Sequence, residues 1–344
     1  MTTDSPHYRT SMPRASLGSA LLLILFGLLP YTTVRGQEAH TFGFLLQPPS
    51  AQSLAMGGKV ISYIDANPGL ALDNPALYGH EVAGRMFLSY FNYMRGTHSA
   101  NALYGLPVGE RGAWAVALRS TYYGKMQGYD TQGVATAPFQ AMEMALSGLY
   151  SYDLTDRLRG GLALKMLYGQ IEHYSAFALV ADAGLSYYRS DWGTSIGMTI
   201  SNVGGMLKSY GLSRRMPQWD VRLGMSQRLA HAPIRFHLTL QGLTPYNIQT
   251  WGAGRSTGIR IASHFAGGVE FVPSEQFWVG IGYNAKQAVD LSEREAKSLS
   301  GLSAGVGFNQ RHYRLALGAT YYTPQMLGLM FSFSTTFGND KYVY

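Results

Sequence analysis

Cysteine is absent from the 344 residues, and charged side chains are scarce. Without cysteine the chain has neither disulfides nor thiolate metal ligands. Asp, Glu, Lys and Arg together make up 14% of the sequence, against about 25% in soluble globular domains. Much of the surface is therefore expected to face something other than water, and a membrane is the simplest candidate.

Long apolar runs are also absent beyond the first 30 residues. A transmembrane helix needs about 20 consecutive apolar residues, and the mean hydropathy of -0.05 is too low for a protein with several such helices. If the chain spans a bilayer, it does so with strands. The formal charge of +7 comes without any Lys/Arg run interleaved with aromatics, so we expect no nucleic-acid partner, whereas basic loops could meet anionic lipopolysaccharide.

The N-terminus has the three parts of a secretory signal peptide. Arg9 and Arg14 form a basic region, Leu17 to Leu29 form an apolar region, and Val34-Arg35-Gly36 is a cleavage site before Gln37. A signal anchor is the alternative, but the apolar region is short for a spanning helix. The sequence thus predicts a signal peptide over residues 1–36, cleavage near Gly36-Gln37, and a mature protein in the outer membrane.

Apolar residues alternate with small or polar residues through most of the remaining chain. In residues 157–169, one face carries leucine, methionine and tyrosine, and the other carries Arg159 and Lys165. Helical periodicity would place these charges inside the apolar stripe. Segments of about ten residues with this two-residue period are typical of transmembrane β-barrels, whose closure leaves no backbone group unpaired in lipid.

Fourteen such segments can be counted, an even number as bacterial barrels require. The predicted fold is therefore all-β: a transmembrane antiparallel β-barrel of about 14 strands over residues 85–344, with an N-terminal plug or hatch segment. A soluble sandwich or propeller is the alternative, but its outer face would need more charge. The predicted strands span residues 85–94, 97–106, 111–122, 140–152, 157–170, 175–188, 193–202, 219–229, 234–243, 263–272, 276–285, 299–309, 312–323 and 326–337.

Short and long connections alternate along the chain, which is the usual pattern of periplasmic turns and extracellular loops. Both termini are then predicted to be periplasmic, with Arg111 and Arg157 near the turns. Loop positions are predicted for Arg95, Lys125, Arg214 and Arg215. Many of the 24 tyrosines fall at strand ends and are predicted to form the two interfacial aromatic girdles: Tyr90 and Tyr93, Tyr122 and Tyr123, Tyr150 and Tyr152, Tyr187 and Tyr188, and Tyr321 and Tyr322.

Residues 37–84 do not alternate cleanly and contain two turn-forming clusters, Met56-Gly57-Gly58 and Asp73-Asn74-Pro75-Ala76-Leu77. Gly-Gly and Asn-Pro are strong local breakers of regular structure. Placed before the first strand, this stretch is predicted to fold into the barrel as a plug or to pack at its periplasmic mouth. Whether Asn74-Pro75-Ala76 is a turn needed for folding or part of a moving hatch stays open.

The same stretch resembles the N-terminal signature of the FadL-like superfamily of fourteen-stranded barrels. The matching residues are Ser50-Ala51, Leu54-Ala55-Met56-Gly57-Gly58, Asp65 and Asn74-Pro75-Ala76-Leu77. Of these, Met56, Gly57, Gly58, Asp65, Asn74, Pro75 and Ala76 form the candidate hatch motif.

Further segments are similar to the PorV/PorQ group of barrels in the type IX secretion system. They are Tyr123-Gly124-Lys125, Tyr168 to Glu172, Ser201 to Gly204, Leu207 to Tyr210, and Pro217 to Leu243. This resemblance implies a non-enzymatic barrel that anchors a cell-surface attachment complex for secreted cargo, with PorU-, PorV- and PorZ-like proteins as partners. A FadL-like channel for small hydrophobic compounds is the alternative.

Four charged residues fall on the predicted lumen face of four consecutive strands: Arg119, Glu143, Lys165 and Asp182. Two of each sign suggest mutual neutralisation in an interior salt-bridge network, because unpaired charges there would be costly. A polar translocation path is the other interpretation. The nine histidines have no ligand spacing, and we expect no metal, no cofactor and no catalytic site; an outer-membrane enzyme would require a clustered catalytic group.

Overall fold

The structure, a computed structural model, describes residues 41–65, 67–94, 96–211, 216–291, 299–323 and 326–336. The predicted signal peptide and the predicted loop residues Arg95, Arg214 and Arg215 lie outside these residues. Fourteen strands run in chain order through the described part. They are β1 Arg85–Met94, β2 Thr97–Val108, β3 Gly112–Met126, β4 Phe139–Asp153, β5 Leu158–Ile171, β6 Tyr174–Arg189, β7 Thr194–Lys208, β8 Asp220–Arg228, β9 Ile234–Leu240, β10 Phe265–Ser274, β11 Phe277–Asn284, β12 Leu302–Asn309, β13 Tyr313–Thr323 and β14 Met326–Thr336.

The sheet is a closed barrel in which each strand pairs antiparallel with its sequence neighbours. Closure is made by β1, which pairs with β2 on one side and with β14 on the other. Tyr90 lies opposite Phe331 across this seam, and Arg85 lies opposite Thr336. A closed sheet has no free edge, so every strand can pair its backbone groups without water. The predicted fourteen-stranded antiparallel barrel is confirmed.

The outer surface is apolar along the strands. On β5, Leu162, Leu164 and Met166 are each more than half exposed, whereas Ala163 and Lys165 between them are buried. The same alternation runs through β3 and β6. Apolar side chains that point away from the barrel along every second residue match a surface that faces lipid.

Residues 41–65 and 67–84, here called the plug, precede β1 and lie inside the barrel. They contain one short α-helix, α1 (Ala51–Ala55), and three 3-10 helices, Gly43–Leu46, Pro68–Leu72 and Pro75–Leu77. The two Asn-Pro pairs begin the last two of these helices, because each asparagine side chain accepts a hydrogen bond from a backbone N–H two residues on and proline tolerates the first helical position. The Asn-Pro pairs thus begin short capped helices.

Glycines on the inner wall let the plug backbone approach the strands. A side chain at Gly161 on β5 would collide with the backbone of Ala76, and one at Gly282 on β11 would collide with the backbone of Gly57. Glycine is therefore required where strand and plug backbones meet.

The two ends of the barrel differ. The end with short connections, here called the turn end, carries Arg111 and Arg157 in its hairpin turns, whereas Lys125 lies near the opposite end of β3. This opposite end, here called the loop end, carries three short helices that the sequence did not predict: α2 (Pro245–Thr250), α3 (Thr257–Ala262) and α4 (Ala285–Leu291). They are six or seven residues long, too short to show a helical period. No helix in the described ranges is long and apolar enough to cross a membrane.

The outward face of β5 gives a direct test of lipid exposure. Leu164→Arg places a charge at mid-strand and is expected to lower the free energy of unfolding by about 2–4 kcal/mol, the cost of arginine near the bilayer midplane. Leu154→Arg, in the turn that precedes the same strand, is the matched control and should cost about 0–1 kcal/mol because it lies near the interface. Reversible denaturant unfolding in lipid vesicles measures the free energy of unfolding of both variants. Equal losses would contradict the assignment of Leu164 to the lipid-facing surface.

Candidate functional site

The plug is bound to the barrel through every strand. Each strand offers at least one residue whose side chain or backbone forms a hydrogen bond, an ion pair or a close backbone contact with the plug. These residues are Ser89 on β1, Asn101 on β2, Arg119 on β3, Glu143 on β4, Arg159 on β5, Leu185 on β6, Gly197 on β7, Ser226 on β8, Arg235 on β9, Glu270 on β10, Asn284 on β11, Ser303 on β12, Arg314 on β13 and Ser332 on β14.

Asp65 of the plug is held by two arginines of the wall. Its Oδ2 atom lies 3.0 Å from Nη1 of Arg235 on β9, and its Oδ1 atom lies 2.8 Å from Nη1 of Arg314 on β13. Glu270 on β10 lies 3.5 Å from the same Arg235 nitrogen. Burial alone would raise the pKa of Asp65, but the charges and hydrogen bonds of Arg314 and Arg235 outweigh it and hold that pKa well below its usual range.

Amide side chains extend this cluster. Gln52 Nε2 donates to Asp65 Oδ2 at 3.2 Å and to Glu270 Oε1 at 3.0 Å, so a single amide joins the plug carboxylate to the wall carboxylate. Asn67 Nδ2 in turn donates to Gln52 Oε1 at 2.9 Å. The ring of Tyr63 lies under the Arg235 guanidinium at 4.7 Å. The two arginines therefore meet two carboxylates, and the buried charges balance.

Met56-Gly57-Gly58 lies against β11 and β12. Both glycines have positive φ, +90° and +86°, a conformation that residues with a Cβ rarely adopt. Gly57 N–H donates to Ser303 Oγ at 3.3 Å, and Asn284 Nδ2 donates to the Gly57 carbonyl at 2.9 Å. The motif is a tight turn fixed to the barrel wall.

Asn74-Pro75-Ala76 lies against β5 and β6. The Asn74 side chain accepts from Ala76 N at 3.0 Å and donates to the carbonyls of Ile61 at 2.7 Å and Leu185 at 3.3 Å. One asparagine thus caps its own helix, holds another part of the plug, and joins both to the wall.

The four predicted lumen charges all face inward, but they do not form one network. Lys165 Nζ and Asp182 Oδ2 are 2.5 Å apart and form a buried ion pair. Arg119 instead donates to the plug carbonyls of Phe44, Leu45 and Gln47 at 3.5, 3.5 and 3.0 Å. Glu143 accepts from the Phe42 backbone N–H at 3.2 Å and from the Tyr123 hydroxyl.

Of the four charges predicted to neutralise one another, only Lys165 and Asp182 therefore form an ion pair. In the register of β3 with β4, Arg119 lies opposite Ala145, and Glu143 lies opposite Thr121. The two charges are thus offset along the barrel, and each bonds to the part of the plug at its own height. Sequence spacing alone could not show that plug backbone groups would take the place of side-chain partners.

A cavity of about 570 Å³ lies at the loop end above the plug; we call it the vestibule. Plug residues form its floor, and the strands and loops of the loop end form its walls and roof. The floor includes Phe44, Leu46, Gln47, Pro48, Leu54, Gly57, Gly58 and Lys59; the other lining residues include Tyr93, Tyr123, Asp220, Arg222, Trp251, Lys286, Leu291, Ser303, Thr320 and Tyr322.

Aromatic rings line much of this vestibule. Tyr93 and Tyr322 pack edge to face with ring centroids 5.2 Å apart. In the roof, Trp251 stacks on His264 at 5.1 Å, and Lys286 Nζ lies 4.8 Å above the Trp251 ring. The rings make large apolar contact surfaces and stay fixed by their mutual packing.

Three predicted girdle tyrosines are therefore assigned to the wrong face. Tyr93, Tyr123 and Tyr322 line the vestibule, whereas Tyr90 and Tyr122 face outward and are exposed. Adjacent residues on a strand point to opposite faces. One tyrosine of the pair Tyr122-Tyr123 and one of the pair Tyr321-Tyr322 must therefore point inward. This alternation was the signal that could have found them.

No metal centre is evident in the described part of the chain, where no group of three or more His, Asp or Glu residues could hold an ion. No family model matches the chain, and the search of curated proteins likewise finds no match.

Solved structures do share the fold. The Pseudomonas putida toluene transporter TodX is similar with a TM-score of 0.59 at 11% identity, covering 85% of this chain and 99% of TodX. The CymD monoaromatic hydrocarbon channel is similar with a TM-score of 0.52 at 11% identity, covering 88% of this chain and all of CymD. These structures thus share the closed-barrel fold of this chain.

Neutralising Asp65 is expected to lower the stability of the protein strongly. Asp65→Asn removes the charge that faces Arg235 and Arg314 and leaves those buried cations with Glu270 alone, so the free energy of unfolding should fall by about 3–5 kcal/mol. Because the pKa of Asp65 is lower in the folded state, its contribution to stability is fully present above the ordinary aspartate pKa of about 4. This contribution is lost only as the pH falls through the lower, folded-state pKa.

Asp156→Asn is the matched control, since Asp156 in the β4–β5 turn lies 3.6 Å from Arg111 in the β2–β3 turn, and exposed ion pairs of this kind contribute little. Denaturant unfolding at pH 7 compares the two variants. A loss for Asp65→Asn no larger than that for Asp156→Asn would contradict the assigned role.

Proposed function

We propose that this chain is a non-enzymatic outer-membrane barrel that takes small hydrophobic compounds into its vestibule and admits them past the plug. The observation that carries the proposal is the vestibule itself, an aromatic-lined cavity at the loop end of a closed barrel. Its volume of about 570 Å³ falls within the range of small-molecule sites, roughly 300–1,000 Å³.

The orientation follows from the connections and the N-terminus. Long loops of outer-membrane barrels are extracellular and short turns are periplasmic, and a predicted signal peptide exports the chain. The vestibule then lies at the extracellular end of the barrel, where such compounds arrive. TodX, a toluene transporter, and CymD, a monoaromatic hydrocarbon channel, support this function by fold only.

Passage requires the plug to shift, because the plug is the floor of the vestibule. Ser62 of the plug and Ser226 of β8 offer a way to prevent that shift. Their hydroxyl oxygens are 2.6 Å apart and buried, and the chain has no cysteine of its own. Ser62→Cys with Ser226→Cys places two sulfurs close to disulfide distance.

The experiment measures uptake of isotope-labelled toluene by intact cells of a Gram-negative host that lacks its own channel for such compounds. Cells with the unmodified barrel should take up toluene faster than cells without it. The double-cysteine variant should lose this gain under oxidising conditions and regain it with a reductant, while each single-cysteine variant should behave as the unmodified barrel in both conditions.

Either of two results would count against the proposal. No gain over cells without the barrel would overturn the channel function, and full uptake by the oxidised double variant would overturn passage past the plug.

A second candidate function is the type IX secretion role, in which the barrel anchors a cell-surface attachment complex. Its support is the sequence resemblance to the PorV/PorQ group, together with a plug bound to all fourteen strands, which suits a static anchor. The partners would be PorU-, PorV- and PorZ-like proteins, with lipopolysaccharide around the barrel.

A gentle-detergent pull-down of the tagged protein from its native cells tests this second candidate. Mass spectrometry should recover a sortase-like protease and a sister barrel if the anchor role holds. Recovery of the barrel alone with small hydrophobic compounds would contradict it and favour the channel.

A further inference from the structure

Three side chains of complementary chemistry meet on the inner face of the wall: Lys165 on β5, Asp182 on β6 and Asn202 on β7. Lys165 Nζ lies 2.5 Å from Asp182 Oδ2 and donates a hydrogen bond to Asn202 Oδ1 at 3.0 Å. The three residues are 7%, 4% and 3% exposed. A primary amine, a carboxyl group and a primary amide thus form one buried group that is shielded from water.

A β-bulge points Asn202 toward this pair. The register of β6 with β7 shifts between Ala181 and Ala183, so that Ser201 and Asn202 of β7 lie opposite Asp182 alone. Bulges of this kind redirect a side chain from the regular alternation of the strand. Asn202 has a φ of +60°, a left-handed conformation in which asparagine is enriched.

The amide of Asn202 is held in a fixed orientation. Its Nδ2 donates to the Gln218 carbonyl at 3.3 Å, and its Oδ1 accepts from Lys165. The backbone N–H of Asn202 donates to Asp182 Oδ1 at 2.8 Å. Asp182 therefore contacts both partners, since one of its oxygens meets the lysine amine and the other meets the asparagine backbone.

We propose that Lys165 and Asn202 join in a covalent amide bond, with Asp182 as the acid–base catalyst. A desolvated lysine amine is a nucleophile once it has lost its proton, and Asp182 Oδ2 lies where it can take that proton. Burial penalises the charged forms of both groups. The hydrogen bond from Nζ to Oδ1 places the amine next to the amide carbon, and such proximity replaces a slow encounter between separate groups.

The reaction balances without any further reactant. The ammonium of Lys165 gives one proton to Asp182, and the free electron pair of Nζ then forms a bond to Cγ of Asn202 while Asp182 protonates Oδ1. Asp182 next takes a proton from Nζ and passes it to Nδ2. The Cγ–Nδ2 bond breaks, ammonia leaves, and Oδ1 returns its proton to Asp182 as the carbonyl forms again. An amine and an amide have become a new amide and ammonia.

The bond lies where β7 loses a neighbour. Among the described residues β8 pairs with β7 only from Thr194 to Ser201, whereas β6 accompanies β7 as far as Lys208. A covalent bond from Asn202 to Lys165 ties β7 to β5 across β6 at the point where support from β8 ends. This inference concerns the barrel wall and does not depend on the proposed function.

Mass spectrometry of tryptic peptides from the full chain, purified from outer membranes and then denatured, tests the bond. Trypsin does not cut after an acylated lysine, so residues 160–189 should stay in one piece and should be joined to residues 190–208. The joined species should weigh the sum of the two peptides less one ammonia. Lys208 is the internal control, since it bonds Ser175 and should be cut normally.

Folding and catalysis are tested with the same readout. Chain that is kept unfolded in urea should carry no bond and should acquire it after it folds into lipid vesicles. Asp182→Asn should slow bond formation by about a hundredfold or more, the usual contribution of a positioned acid–base group. Asn202→Ala should abolish the bond. Asp220→Asn is the matched control, because Asp220 is an equally buried carboxylate that pairs with Arg222 on β8, and this variant should keep the bond.

The unmodified chain decides the matter even if a variant fails to fold. Cleavage after Lys165, with residues 190–208 at their unshifted mass, would overturn the proposal. A link within residues 160–189 that has lost water instead of ammonia would show that Lys165 reacts with Asp182, and would overturn the roles given to Asp182 and Asn202. Undiminished bond formation in folded Asp182→Asn would overturn the catalytic role of Asp182.

Discussion

Backbone pairing in lipid is the constraint from which the rest of this structure follows. A chain that crosses a bilayer as strands has to close its sheet, since an open edge would leave N–H and C=O groups without partners. Closure by β1 and β14 creates a lumen, and the inner face of each strand then needs its own partners. The plug supplies them: its carbonyls meet Arg119, its Asp65 meets Arg235 and Arg314, and its turns lie against wall glycines.

The plug also determines what the barrel can bind. It ends below the loop end and leaves a vestibule whose floor is plug and whose walls are strand ends and loops. The plug backbone also contributes to these contacts, since Gly57 in the floor bonds to Ser303 and Asn284 of the wall.

Much of the fold could be predicted from the sequence, because the two-residue period is local. The predicted strands match those of the structure to within a few residues for most strands, although β7 continues to Lys208 and β12 begins only at Leu302. The plug was also predictable, since breakers such as Asn74-Pro75 interrupt the alternation. The inward tyrosines could have been found by the same alternation.

The partners inside the lumen could not be predicted. Asp65 meets Arg235 and Arg314 across 170 and 249 residues of sequence, and its partners depend on where the plug runs within the barrel. For the same reason Arg119 and Glu143, adjacent in the predicted network, each bond to the plug instead. The vestibule depends on loop helices too short to leave a periodic pattern.

The plug fills the lumen of the closed barrel, and ionic conductance across a planar bilayer tests whether it also blocks the flow of ions. The full chain is expected to insert without steady conductance, whereas a variant that lacks residues 41–84 should conduct steadily, as an unplugged barrel would. Steady conductance of the full chain equal to that of the deletion variant would contradict the account.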